Sequence, residues 1–441
     1  MTTSASSSTV TLVAGGGVLT ADPAGTVYPD GAVLVQGGRI TAVGTRRDVE
    51  TALVTPPDRL VDARGGVIAP GLVDAHVHLV ESLLRHLPGD IDLPSWVRTR
   101  LRPYEADLTP DTATAAAELA LLELTLAGVT TVGESMLPDG ELGAAVAAAA
   151  ERSGLRVHLA VAVGGPHDAE GTSGYEGLAA DWHGCGDRIS VGLAPRPLPQ
   201  IAPQFLAEVA TYARSSGVRM TSHFANSEAQ HAWIASELGA TPGQAAAELG
   251  LLWDGHQLGH CTWLGQGDVR LIGASGASIA HLPVTNLRLG MGLMPLVELR
   301  AAGVPVGIGT DGDNIHDLFA AARLAADIQR MRRGPTAMSA QAVLDMLTIE
   351  GARSLGLDSE LGSIEIGKRA DLIVVGADAP HLAPRPDPLH LLARAARPAD
   401  VRSVLVGGEL VIDDGCPTRL DASAVTAEAT KRSRFPRGGR P

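Results

Sequence analysis

A chain of 441 residues is long enough to bury one large core and to build a smaller unit beside it. Its 35 basic residues against 49 acidic ones give a net charge of −14, which argues against a nucleic-acid footprint or an anionic membrane surface. No apolar run reaches the ~18–20 residues of a membrane span, the first residues carry no basic-then-apolar leader, and three cysteines (Cys185, Cys261 and Cys416) suit a reducing cytoplasm better than a disulfide scaffold.

Up to about Asp62 the chain reads as short strands broken by glycine, in VTLVAGGGVLT and GAVLVQGGRITAVG. The pattern returns late, in GSIEIGKRADLIVVG and VRSVLVGGELVIDDG. Residues 1–65 and 359–420 are therefore expected to form one small β-sandwich from both ends of the chain. The middle, residues 66–358, alternates apolar strands with Ala/Leu-rich helices. The strands are VIAPGLVDAHVHL, VTTVGES, RVHLAVAVGG, ISVGLAP, VRMTSHFA, HQLGHCT, ASIAHLP and VPVGIGTD. Helical stretches such as DTATAAAELALLELTLAG and PQFLAEVATYARSSG end in glycine, as helix C-termini do. Eight strands buried on both faces, most followed by a helix, define an α/β fold, a parallel (β/α)8 barrel. Aromatics are only 3%, so its core is expected to be Ala, Val, Leu and Ile. Residues 421–441 end in the basic, Gly/Pro-rich KRSRFPRGGRP and are expected to be a flexible tail.

Chemistry-bearing residues fall at the ends of these strands. His76 and His78 end the first, and their spacing of two turns both side chains to one face, at the barrel mouth where active sites are built. A His-x-His pair alone is a weak signal. It gains force because His223 ends the fifth strand, His260 the sixth and Asp311 the eighth. Imidazoles with a carboxylate suit Zn2+ or Fe2+ with a position left open for water.

The segments PGLVDAHVHL, TSHFAN, LGHCTWL, IAHLPVTNLRLGMG, VPVGIGTDG and GKRADLIVV resemble the amidohydrolase superfamily. The likeness is to the branch of triazine hydrolases and of guanine- and adenosine-type deaminases, which share the TIM-barrel fold. It implies one divalent metal, zinc favoured over iron, held by His76, His78, His223 and Asp311. His260 is then expected to act on the water or the leaving side, and Asp311 to take the water's proton. Many binuclear members bridge two metals with a carboxylated lysine on a barrel strand. Here the only lysines are Lys368 and Lys431, so a single metal is expected. A divalent ion lowers its water's pKa to about 7, giving hydroxide for attack on an amidine carbon. The resemblance also implies a small heterocyclic substrate and a homo-oligomer, a dimer in many members.

Two positions depart from the branch. Its deaminases carry His-x-x-Glu at the fifth strand, the Glu moving protons; here the fourth residue is Asn226, which cannot transfer a proton at neutral pH. Three readings stay open: another acid does the work (Glu134, Glu228 or Asp313), the substrate needs no ring protonation, or the protein binds metal without turnover. At the fourth strand Arg196 stands where relatives often place a substrate-contacting histidine; its planar fork matches an anionic or carbonyl-rich group. Asn226, Glu81 in the first loop, Trp96 and Asp313 complete the expected substrate contacts. His158 reads as a satisfied core histidine, His256 as a surface residue, and His281 as loop packing with Asn286. Cys261 should point into the barrel–helix layer.

The function expected from the sequence is hydrolysis of a C–N bond in a small nitrogen heterocycle, by deamination or dealkylamination. Hydrolytic dehalogenation, opening of a cyclic amide, and a metal-binding pseudoenzyme are the alternatives.

Overall fold

The computed structural model describes residues 9–85, 91–165, 171–312, 315–384 and 387–433. Eight parallel strands form its centre: β1 (Leu72–Val77), β2 (Val129–Leu137), β3 (Arg156–Val163), β4 (Ile189–Pro195), β5 (Met220–Phe224), β6 (His256–His260), β7 (Ser278–His281) and β8 (Val306–Ile308). They pair in chain order, each with the next. Every residue of β1 and β3 is buried, which removes the polar–apolar alternation of a half-exposed strand. Helices cover the outside. Pro110–Leu126 starts at Thr109, whose side chain accepts from Thr112 N, with Pro110 at the first helical position. Gly140–Ser153 and Pro203–Ser216 stop at Gly154 and Gly217, both left-handed as helix ends require. The core around these elements is mainly Ala, Val, Leu and Ile, as the scarcity of aromatics dictates.

The seam between β1 and β8 closes the barrel. Strand β8 is only three residues long, and the chain beyond it completes the closure: Asp311 N donates to His76 O at 2.9 Å and His78 N to Asp311 O at 3.4 Å. Gly309 makes the approach possible, because a Cβ there would lie 2.6 Å from the His76 carbonyl oxygen.

The two chain ends form a separate nine-stranded mixed sheet, in which Val67–Pro70 pairs with both Val10–Leu19 and Leu372–Val375. The sheet curls so that its edge strand Arg39–Thr45 meets the segment leading into Leu372–Val375: Ile40 N bonds Lys368 O and Ala370 N bonds Gly38 O, both at 2.9 Å. One apolar cluster fills the roll, including Val13, Val33, Ile68, Leu372 and Leu405.

The tail departs from expectation. Ala422–Arg432 is a helix, capped by the Asp421 carboxylate and ending in Lys431 and Arg432, where cations complement the helix dipole. It packs on the Pro110–Leu126 helix through Ala429, and Arg432 pairs with Asp111 at 2.8 Å. The glycine- and proline-rich end of the segment hid an Ala/Ser/Thr stretch of adequate helix propensity. Among the described residues no helix is long and apolar enough to cross a membrane.

Candidate metal centre and substrate cavity

His76 and His78 leave β1 on the same face, and His223 and Asp311 reach the same point from β5 and the end of β8. One donor atom from each of the four lies within 4.8 Å of the others. His78 Nε2 faces His223 Nε2 and Asp311 Oδ1, each at 3.2 Å. On its other side, His78 Nδ1 lies 2.6 Å from Ser135 O; a carbonyl only accepts, so Nδ1 carries the hydrogen and Nε2 turns its lone pair to the centre.

The donor set passes a direct test for a cation. His76 is fully buried and neither of its ring nitrogens has a hydrogen-bond partner; Asp311 Oδ2 is likewise buried and unpartnered. Leaving such groups bare costs about 1–3 kcal/mol each, whereas one divalent ion would take a lone pair from the His76 ring and one from Asp311 together. Burial, then the neighbouring imidazoles, pushes His76 and His223 well below the ordinary histidine range, so both offer neutral lone pairs. Burial works against ionisation of Asp311, but the His78 contact and the surrounding imidazoles override it and hold the carboxyl ionised. Three nitrogens and one oxygen with space beside them suit a divalent metal ion with one position left open.

Backbone geometry aims these side chains. His260, Cys261 and Asp311 have φ of +69°, +52° and +66°, and Met136 and Ala225 are also left-handed. Non-glycine residues adopt this region at a cost of order 1–3 kcal/mol, and here they gather at strand ends around the mouth. His260 stacks on His223 with ring centroids 5.1 Å apart, while its Nδ1 is fixed by Asn286 Oδ1 at 2.8 Å. It lies beside the four-residue group and lines the cavity.

A cavity opens to solvent above the centre, walled largely by apolar side chains with a few polar groups among them, as small-molecule sites are. Its floor is His78, His223, His260 and Asp311. Glu81, Trp96, Arg196 and Asn226 all stand on its wall. The Glu81 carboxylate rests on Gly312, where a Cβ would lie 1.9 Å from Oε2. Trp96 is held by the Arg288 guanidinium, 5.6 Å above its ring. Asn226 N donates to Gln230 Oε1 at 3.0 Å, and Gln230 Nε2 donates to Leu198 O at 2.6 Å, so one buried amide ties the loop carrying Asn226 to the loop after Arg196.

Other expected residues are elsewhere. Glu134 is buried off the cavity wall, its Oε2 accepting Leu79 N at 2.7 Å, and burial pushes its carboxyl up to about 8. Glu228 is exposed at the start of its helix. Asp313 lies outside the described residues. His256, read from the sequence as a surface residue, is wholly buried: it is the first residue of β6, and its nitrogens meet Leu251 O at 2.6 Å and Ser222 Oγ at 2.9 Å. His158 is bonded to Ser190 Oγ at 2.9 Å within the core. Asn286 serves His260 instead of His281, whose ring nitrogens have no partner. On the cavity wall, sequence reasoning missed Met136, Tyr104 and the apolar side chains of Leu93, Val97, Leu101, Leu289 and Met291. The segment PSWVRTRLRPYEA, with its apolar residues at helical spacing, held the signal for Val97, Leu101 and Tyr104.

Comparisons with known proteins agree with this geometry. A family model described as the amidohydrolase family matches residues 67–411. The chain is 35% identical over 412 residues to a 5-methylthioadenosine/S-adenosylhomocysteine deaminase of Natronomonas pharaonis, covering 90% of this chain and 91% of that one. Among solved structures, an adenosine deaminase from Xanthomonas campestris with bound zinc superposes with a TM-score of 0.89 at 28% identity, over 96% of this chain and 97% of that one. An atrazine chlorohydrolase variant from Arthrobacter aurescens, complexed with zinc and atraton, superposes with a TM-score of 0.87 at 27% identity, over 96% and 100%.

Proposed function

The chain belongs to the amidohydrolase family, and on that premise we propose that it is a zinc-dependent deaminase of an amino-substituted, purine-like heterocycle. One observation carries the reading: the fully buried His76 ring, bare at both nitrogens, turned toward His78, His223 and Asp311. The names of the adenosine-type relatives support the C–N bond as the one cut. A single ion per chain follows from the four-residue donor set and from the lack of any lysine before Lys368.

Zinc, when bound by His76, His78, His223 and Asp311, acidifies its water to a pKa of about 7 and so makes hydroxide accessible at neutral pH. The protein's own groups do the rest. The water oxygen adds to the ring carbon that bears the amino group, and that carbon–nitrogen bond breaks. Of the water's two hydrogens, one leaves with the amino group as ammonia and the other stays on the ring nitrogen. Asp311 takes the first of these protons, and His260, fixed at Nδ1 by Asn286, steadies the charge that develops on the oxygen. With Asn226 unable to carry the second proton and Glu134 off the wall, Glu81 is the carboxylate we assign to it. Asn226 and Arg196 donate to acceptor atoms on the ring, and Trp96 with its apolar neighbours excludes water.

A panel of 5'-methylthioadenosine, adenosine, guanine, an aminopterin and an aminotriazine tests this by ammonia release. We expect ammonia from at least one purine. Silence across the panel, with zinc bound, would overturn deamination. Chloride release from a chlorotriazine is the second reading; Asn226 favours it, because a departing halide needs no proton, and the chlorohydrolase superposes nearly as well. Three unpaired cysteines support a reducing cytoplasm, and a homodimer in solution is proposed from the family resemblance.

A further inference from the structure

The seam that closes the barrel carries His76, His78 and Asp311 on its two sides, and few main-chain bonds hold it. A buried side-chain connection crosses it beneath the ligands. Asp74, on β1, accepts Thr310 Oγ1 at Oδ2 (2.6 Å); at Oδ1 it accepts Thr310 N (3.1 Å) and His76 N (3.2 Å). Thr310 precedes Asp311, so one carboxylate grips the backbone of one ligand and, 236 residues further along the chain from Asp74, the neighbour of another.

The connection continues outward. A hydroxyl has one hydrogen, and Thr310 spends it on Asp74; its oxygen is left to accept from His316 Nδ1 at 2.9 Å. That fixes His316 as the Nδ1–H tautomer. Beyond it, His316 N donates to Glu123 Oε1 at 3.3 Å, and Glu123 pairs with Arg85 at 2.5 Å. Asp74, Thr310 and His316 are 0%, 2% and 1% exposed, and none of them lines the cavity. Among the described residues no Arg or Lys forms an ion pair with Asp74, so its three hydrogen bonds are what offset its burial.

We propose that Asp74, Thr310 and His316 form a positioning clamp for the metal centre, setting the separation of His76 and Asp311 by locking β1 to the end of β8, with His316 as its outer anchor. The proposal rests on the metal-centre reading above. A buried polar group kept only for folding would not need to bond the amide of one ligand and the residue before another. Nor would it need a neutral histidine to orient the hydroxyl between them.

The test uses the full-length protein, zinc affinity by chelator competition, and the melting temperature of the metal-free form. Thr310→Val removes the hydroxyl at constant shape, and His316→Leu removes the outer donor. His316→Asn keeps a donor near Nδ1, and Thr310→Ser keeps the hydroxyl. The clamp predicts zinc binding weaker by about 10–100-fold in the Val and Leu variants, the range typical of groups that orient metal ligands. It predicts recovery to within about threefold of the wild type in the Asn and Ser variants, and an altered cobalt(II) absorption spectrum in Thr310→Val. Unchanged affinity in both Val and Leu variants overturns the clamp, as does a lower metal-free melting temperature with affinity unmoved. A wild-type protein that binds no zinc would instead overturn the metal-centre reading on which the clamp rests.

Discussion

Strand β6 is five residues long and begins and ends with a buried histidine, so it joins two different environments. At the floor of the barrel, His256 has both ring nitrogens bonded, to Leu251 O and Ser222 Oγ, and burial pushes it down to about 4. His158 nearby is bonded to Ser190 and is pushed down to about 3 by burial and then by Arg219. At the mouth, His260 keeps one nitrogen for the cavity, the His76 ring has no hydrogen-bond partner, and His78 and His223 turn their Nε2 atoms on each other at 3.2 Å. Burial alone does not separate the two groups, since both are buried. Partnership does: the floor histidines are satisfied by their own fold, and those at the mouth leave lone pairs converging on one point.

The contrast breaks most visibly if a member of each group is removed. His76→Ala should abolish zinc retention and with it turnover, a loss of at least about 1,000-fold. His256→Asn should leave zinc at one per chain while lowering stability by about 1–3 kcal/mol, because Ser222 and Leu251 O lose their partner. Metal analysis and melting on the two proteins side by side decide it; equal zinc loss in both would erase the distinction.

A smaller effect sharpens the account of the mouth. Glu81→Gln keeps shape and removes the proton carrier, so kcat should fall by about 100- to 10,000-fold with KM changed much less and zinc content unchanged. A fall in zinc content in its place would make Glu81 a part of the centre.

The floor has its own signature in acid. Neutral His158 and His256 have folded pKa values of about 3 and about 4, below the unfolded value near 6.5. The unfolded chain therefore binds more protons as pH falls below 6.5, and stability drops between there and about pH 4. On the order of 3 kcal/mol should be lost for His256 alone, at ~1.4 kcal/mol per unit. Denaturant midpoints of metal-free protein at pH 7 and pH 4.5 measure it, and His256→Asn should flatten the slope.

The strands and the convergence of His76, His78, His223 and Asp311 were legible in the sequence because each signal is local: a spacing of two puts His76 and His78 on one face, and strand ends collect at one rim. What stayed hidden depends on closure or on loop direction. Asp74 and Thr310 meet only when the first strand finds the last. In the sequence Glu134 reads as a candidate acid and Glu81 only as a substrate contact, yet the Glu134 side chain turns under Leu79 and that of Glu81 lies over Gly312 on the cavity wall. His256 reads in the sequence as lying just before the sixth strand, but it is that strand's first residue and is buried with it, while Asp254 just before it is exposed. The helix at Ala422–Arg432 was masked by the glycines and prolines that follow it.

The central claim is that the histidines of the mouth hold one metal ion. Mass-spectrometric metal analysis of the native, full-length protein tests it most directly. One zinc per chain is the predicted result; none, or two, would contradict it.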